Sequence, residues 1–530
     1  MARALLGLLS GSALCGAAHA DRPEIGAYLD LKQVAESQLS GTGDDVTYSE
    51  IGGAVTAQIK NRRIVASGSY RLAYRIPERG DIGESVSQDG LLRLRGTVIE
   101  DWLTIDGGAI ITRSRIDPSG AAPQLNTGKR TNLAQTYSVY IQPSIAHQIG
   151  DVGFSANYRY GYTTNESGQT GVTLGPVTDR FDSSKAQQAA FSVGMEQSAL
   201  PFDWTLSSSY QHENTTNLAE HYRSLSVIGE LKLPVAGTLA LVASGGYERT
   251  RTSERGALTD PLTGIPILGK GGRFIVDPAS PRVLTYDLDG IVADGGIIWK
   301  PSRRTRIEAR AGYRYGSLSI TGLVEMKPSE RSGLVLIVTD KIQSFGQDVS
   351  GGLAGAPVDL DLGQSLDPST SYQNCLFGVQ AGSGRCIGGA LGQASANAYR
   401  ERAANLIFSR DMRLWSLYSS FGYARRTYID NPASVVSLDG VVDENFFGNI
   451  TINRRLGRVA GVSFSFAGSL FKNGQLGASD VKSGSINTNY YRTFGRGIRA
   501  QATVGLDASK QDGVTADVSG RAQLGLQYQF

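Results

Sequence analysis

From Ile64 onward one face of the chain reads Ile64, Ala66, Gly68, Tyr70, Leu72 and Tyr74, and the other Val65, Ser67, Ser69, Arg71, Ala73 and Arg75. Successive side chains of a strand point to opposite faces, so this stretch predicts a strand with one apolar and one largely polar side. The pattern returns in Val152, Phe154, Ala156, Tyr158, Tyr160 and Tyr162, with Arg159 on the other face. It returns again in Ile307, Ala309, Ala311, Tyr313 and Tyr315 against Glu308, Arg310, Gly312 and Arg314. A fourth case sets Ala460, Val462, Phe464, Phe466, Gly468 and Leu470 against Gly461, Ser463, Ser465, Ala467 and Ser469. Each run is long enough to cross a bilayer as a tilted strand.

Connections of two lengths separate these strands. Short turns fall near Lys60-Asn61-Arg62, Glu100-Asp101, Gln148 to Asp151, Ala199 to Phe202, Pro234 to Gly237, Pro301 to Arg303, Pro328 to Arg331, Ser409 to Arg413, Arg454 to Arg458 and Gly495-Arg496. Between them lie mostly longer segments rich in Gly, Asp, Ser, Thr and Pro, at about 77–90, 117–134, 164–186, 250–284, 340–397 and 427–444. Alternating short and long connections are the habit of bacterial barrels with short periplasmic turns and long outer loops. The sequence therefore predicts an all-β fold, a transmembrane antiparallel up-and-down β-barrel of about 22 strands, give or take about four. With lipid outside, the small or charged face is the interior. That makes Arg71, Arg75, Arg159, Glu308, Arg310 and Arg314 candidate lumen-lining residues.

Composition agrees with export and with a barrel. Met1 to Ala20 carries Arg3, an apolar run from Ala4 to Leu14 and the small-x-small end Ala18-His19-Ala20, the pattern of a cleaved signal peptide. The mature chain, residues 21–530, is then expected to be a single barrel domain. Leu14 before Cys15 argues against lipidation there, since that processing prefers a small residue. Cys375 and Cys386 remain, and an even count in an exported chain favours a disulfide over two free thiols. A net charge of +3 with 19% charged residues excludes a basic nucleic-acid binder and a disordered chain. No apolar run after the leader approaches the roughly 20 residues of a membrane helix.

The last strand alternates Ala522, Leu524, Leu526, Tyr528 and Phe530 with Arg521, Gln523, Gly525, Gln527 and Gln529, and the sequence ends on the aromatic. It resembles the C-terminal strand by which outer-membrane barrels are recognised. The resemblance implies that Leu524, Leu526, Tyr528 and Phe530 form an assembly signal, with outer-membrane lipid and the barrel-assembly machinery as partners. Trp102, Trp204, Trp299 and Trp415 near the short turns, with Tyr160 and Tyr162 near a long loop, fit interfacial girdles. Alternation already begins at Ala27, Leu29 and Leu31, which sets aside a transporter with a plug domain ahead of the barrel.

Lys300-Pro301-Ser302-Arg303-Arg304 recurs as Lys327-Pro328-Ser329-Glu330-Arg331, good turn chemistry in both copies. With Trp299, with Ala311-Gly312-Tyr313-Arg314-Tyr315-Gly316 between the copies, and with a weaker echo in Pro143-Ser144 and Tyr158-Arg159-Tyr160, this stretch resembles the outer-membrane barrels associated with the PEP-CTERM and exosortase system. The resemblance implies a place in exopolysaccharide production, with polysaccharide export components as partners. It supplies no catalytic residues.

Catalytic constellations are scarce, no phosphate-binding glycine loop follows a strand, and neither a cofactor nor a nucleic-acid partner is expected. Among the mature histidines, His212-Glu213 and Glu220-His221 flank one outer loop, where a hairpin could bring both pairs together to ligate zinc; the plainer reading, which is preferred, is a polar loop whose His and Glu face water. The expectation is a channel or export conduit for polar material, and not an enzyme. The alternatives are an outer-membrane hydrolase with acid and base groups on the rim, or a structural or adhesive barrel.

Overall fold

Strands with one apolar and one polar face can close on themselves only with the apolar face consistently outward or consistently inward. The computed structural model has it outward. It describes residues 23–530 apart from 42–43, 83–84, 118–131, 168–178, 197–199, 366–374, 393, 435 and 496, so the leader expected at Met1 to Ala20 lies outside the described residues. Twenty-two strands form one sheet, each paired antiparallel with its neighbours in sequence. The ring closes by pairing the first strand, Glu24–Ser40, with the last, Asp517–Gln529. Leu31 lies opposite Leu526 and Leu29 opposite Tyr528, so the final apolar face joins the first in register. The Phe530 N–H donates to the Ala27 carbonyl at 3.0 Å, fixing the last aromatic beside that seam.

Outside the ring Leu29, Leu31, Leu72, Leu92, Phe466 and Leu524 are all exposed. An apolar surface of this extent suits hydrocarbon, and a closed ring satisfies its backbone groups there without an edge. Aromatic residues mark the end of the belt at the short turns. Trp102 stacks on His147 with ring centroids 3.9 Å apart, and Arg454 lies 4.6 Å from the Trp415 ring.

The connections differ from the sequence reading in detail. The strand Ile64–Arg79 runs through Pro77, and its partner starts at Val86, so the loop expected at 77–90 is much shorter. Likewise Leu239–Arg255 and Arg282–Ser302 extend well past the membrane, replacing both ends of the loop expected at 250–284. Polar residues end a lipid-facing pattern without ending a strand, because the ladder continues in water. One outer connection is a tight turn at Tyr315-Gly316, where both residues have positive φ (52° and 72°). The rim is lowest there.

Candidate functional site

A ring of 22 strands spaced by about 4.8 Å and tilted by about 40° measures on the order of 40 Å across its backbone. Much of that space is occupied. The strand Ser332–Gln343 ends at the outer side, and the chain then turns inward through a helix, Phe345–Ala354, instead of projecting into the medium. Ser344 caps this helix by accepting the Gln347 N–H at 3.2 Å, and its own hydroxyl donates to Glu213 of the strand Asp203–Thr215, further round the ring. Beyond it come two single helical turns, Leu362–Ser365 and Gly388–Leu391, and a small hairpin, Cys375–Phe377 with Gly384–Cys386. Cys375 and Cys386 are register partners in that hairpin and are joined by a disulfide.

The segment holds to the wall along the full height of the lumen. Near the periplasmic turns, Lys60 pairs with Asp359 at 2.9 Å, Gln58 donates to the Leu360 carbonyl at 3.1 Å, and the Gly382 N–H donates to Ser409 at 2.7 Å. A side chain at Gly333 would strike the Ala381 carbonyl at 2.3 Å, so only glycine lets the two backbones meet there. Deeper in the wall, Arg93 donates to the carbonyls of Ala354 at 3.2 Å and Ala356 at 2.9 Å, and Arg115 to that of Gly392 at 2.9 Å. Towards the outer side Asp348 is bound by Lys341 at 3.2 Å and by Arg426 at 3.1 Å, and it accepts from the Tyr399 hydroxyl at 3.2 Å. Burial alone would raise the Asp348 carboxyl, but Lys341 and Arg426 outweigh it and hold the group below its ordinary range.

An apolar core lies inside the barrel. Phe345, Val349, Leu353, Leu360, Leu376 and Leu391 are buried together against Leu91, Ile110 and Tyr140 of the wall. Fully burying a side chain of this size is worth about 1.5–3 kcal/mol, so the segment is a packed body and not a loose loop. The sequence carries a signal for it. Gly90-Leu91-Leu92 and Ala109-Ile110-Ile111 break the alternation with paired apolar residues, one for lipid and one for the lumen.

The residues expected to line the lumen lie on the polar face, and most are engaged by neighbours. Arg71 contacts Asp30 and Glu50, each at 2.7 Å, and Arg75 contacts Glu50 at 3.0 Å. Arg310 bridges Glu230 at 2.6 Å and Glu308 at 2.7 Å, while Arg314 pairs with Glu248 at 2.9 Å. Arg159 donates to Gln188 and lies 3.6 Å from the space beside Gly351, under the helix. Beside the segment, at the periplasmic end, remains a cavity of about 1250 Å³ lined by Thr104, Ser144, Gln148, Ser192, Glu230 and Lys232. On the strands Val442–Arg455 to Asp517–Gln529 the lumen face carries Asn453, Ser463, Ser485, Asn487, Asn489, Gln501, Thr503 and Gln523, a hydrogen-bonding surface with few charges.

The zinc arrangement weighed from the sequence does not form. The hairpin brings the His212 and His221 rings to 6.4 Å, but Glu213 is one residue from His212 and so points into the lumen, to Ser344. Period two separates them. Among the described residues no group of three His, Cys, Asp or Glu is placed to hold a metal. Instead the outer mouth has a set of carboxylates on different loops, Glu220 and Asp430 buried and Asp179 half-buried. Asp179 accepts the Phe274 N–H at 2.8 Å, and Asp430 accepts those of Asn431 and Leu438, each at 2.7 Å. Burial pushes the Asp179 carboxyl up to about 6, partly offset by its hydrogen bonds, and raises those of Glu220 and Asp430 too.

No family model matches the chain, and no curated protein matches it. Similar solved structures include the siderophore receptor PiuA from Acinetobacter baumannii, at 8% identity and a TM-score of 0.46, covering 95% of this chain and 82% of that one. The ferric-catecholate import receptor Fiu from E. coli K12, in its open form, gives 9% identity and a TM-score of 0.45, with coverages of 97% and 82%. OccK3 (OpdO) from Pseudomonas aeruginosa gives 9% identity and a TM-score of 0.29, with 96% of each chain covered. The closed ring, its lipid-facing belt and its polar, ion-paired lumen define this protein as an outer-membrane β-barrel.

Proposed function

We propose that this barrel is a conduit for polar material whose aperture is set by residues 344–398. The observation that carries the reading is the packed body inside the lumen, tied to the wall from Lys60 to Arg426, beside an open polar cavity. A wall meant only to hold the membrane together gains nothing from such an insert. A conduit this wide needs one, because an unobstructed ring on the order of 40 Å across would breach the membrane.

We infer further that the cargo is carbohydrate, in keeping with the resemblance to barrels of the exopolysaccharide-associated kind. Arg71, Arg75, Arg310 and Arg314 each have a carboxylate at 3.0 Å or closer, so they offer little unbalanced charge to an ion. The amide and hydroxyl groups of Asn453, Asn489, Gln501 and Gln523 suit hydroxyl-rich, uncharged chains. The test is flux through liposomes containing the purified barrel, comparing neutral oligosaccharides with carboxylated ones of equal length. Faster passage of the neutral set supports the reading, and equal exclusion of both contradicts it.

A further inference from the structure

Register fixes which way a side chain points. Arg402 lies opposite Arg425, and the same face continues through Ala404 opposite Tyr423 and Leu406 opposite Phe421. The Phe421 ring is exposed on the lipid side, so Arg402 and Arg425 also point out of the barrel, beyond the apolar belt. Arg400, opposite both Thr427 and Ile342, lies further out on that face. The three arginines, with Tyr286 and Tyr315, line a cavity of about 280 Å³ at the low point of the rim.

The positive charge is only partly answered. Asp340 is taken by Arg400 through two bonds, at 2.8 and 2.7 Å, which leaves Arg402 at 3.5 Å. Glu444, opposite Arg425 in register, instead accepts from the Tyr423 hydroxyl at 2.9 Å and lies 3.6 Å from Lys472. Asp439, at the edge of the cavity, receives the Asp430 N–H at 3.4 Å. Among the described residues the Arg425 guanidinium has no hydrogen-bond or ion-pair partner. A cation facing hydrocarbon at mid-membrane is strongly disfavoured, and at the interface hardly at all. Outward arginines above the belt therefore belong at headgroup level.

We propose that this cavity binds the phosphorylated headgroup of an outer-leaflet lipid. Arg425 presents an unpartnered planar fork that matches phosphate oxygens, and Arg402, whose Nη2 donates to Ser317 at 2.9 Å and to the Leu318 carbonyl at 3.1 Å, sets its positive charge beside it. Arg400, oriented by Asp340 and by Ser317 at 2.6 Å, completes the positive wall. The arginines reach the site from the outside of the barrel, whereas Tyr286, opposite the lumen-facing Thr252 in register, closes it from the inner side of the rim.

The test uses the full barrel in uncharged detergent, titrated with phosphatidic acid in mixed micelles and separately with sodium pyrophosphate, and read by native mass spectrometry. The variants are the Arg402→Gln, Arg425→Gln double substitution and, as control, Arg251→Gln, an outward arginine paired with Asp287 elsewhere. Wild type and the control are expected to bind the lipid alike, and the double variant at least tenfold more weakly. Pyrophosphate should bind wild type at least tenfold more weakly than the lipid. Equal lipid binding by the double variant, or an equal loss in the control, overturns the proposal, and pyrophosphate binding as tight as the lipid overturns a lipid occupant. Should the double variant fail to insert, Arg425→Gln alone decides, because Arg425 has no partner in the fold to lose; a loss of threefold or more supports the site and unchanged binding overturns it.

Discussion

Arg426, carried by the barrel wall, lies 3.1 Å from Asp348 in the helix that fills the lumen, and the same guanidinium reaches Glu401 at 2.9 Å. Arg426 is fully buried, and its charge balances two carboxylates that belong to different parts of the fold. The pair thus ties the inward body to the wall at a point where no water can replace either partner.

Removing one member of a buried pair leaves the other uncompensated, at a cost of about 3–5 kcal/mol. Arg426→Met is therefore expected to loosen Phe345–Ala354 more than the ring, whose strands keep their ladders. Hydrogen exchange should rise in residues 345–354 while protection of the strand Trp415–Tyr428 stays near wild type. Equal loss of protection in both would mean that the helix and wall do not open separately.

The outer mouth should respond to pH. Asp179 is pushed up to about 6 in the fold, above the range of an ordinary carboxylate, with Glu220 and Asp430 raised in the same direction. A carboxyl raised by folding binds its proton more tightly in the folded state, so its stabilising contribution is complete at low pH and is lost as pH rises through about 6. Loop 256–281, which reaches Asp179 through Phe274, should be cut by protease faster at pH 8 than at pH 5, after correction for protease activity. Asp179→Asn should flatten that difference. A steeper pH dependence in the variant would reverse the sign and refute the assignment.

Much of the ring was legible because lipid and lumen enforce a strict period of two. Ile64 to Arg75 and Ala460 to Leu470 each declare their strand, and the short turns fall where Pro, Gly and charged pairs interrupt it. The width of a 22-strand ring already makes the longest connection, about 340–397, the largest candidate to fill the lumen, but how it packs there was not legible. Its one regular helix buries Phe345, Val349 and Leu353 at a spacing of four, too short a run to declare itself, and the wall's share of its core appears only as local doubling at Leu91-Leu92 and Ile110-Ile111. The outward arginine cavity was hidden for another reason: Arg402 and Arg425 lie 23 positions apart in the chain and meet only through strand register.

The last strand offers a test of assembly. Phe530 and Tyr528 pack edge to face, 5.0 Å apart, on the lipid side of the closing seam, whereas Gln529 is on the lumen face. Deleting Phe530 should lower the amount of heat-modifiable, folded barrel several-fold, and Gln529→Ala should leave it near wild type. Equal yields would mean that the terminal aromatic is not read during insertion.

The central claim is that the body inside the lumen sets the aperture. Gln343 and Tyr399 are register partners on adjacent strands, so deleting residues 345–395 leaves Ser344 and residues 396–398 to bridge them as a short outer turn. Single-channel conductance of this deletion in planar bilayers, against wild type, is the most direct measurement. The account predicts insertion with a conductance at least several-fold higher and passage of solutes that wild type excludes. A deletion that inserts as a heat-modifiable barrel yet conducts no more than wild type would contradict it.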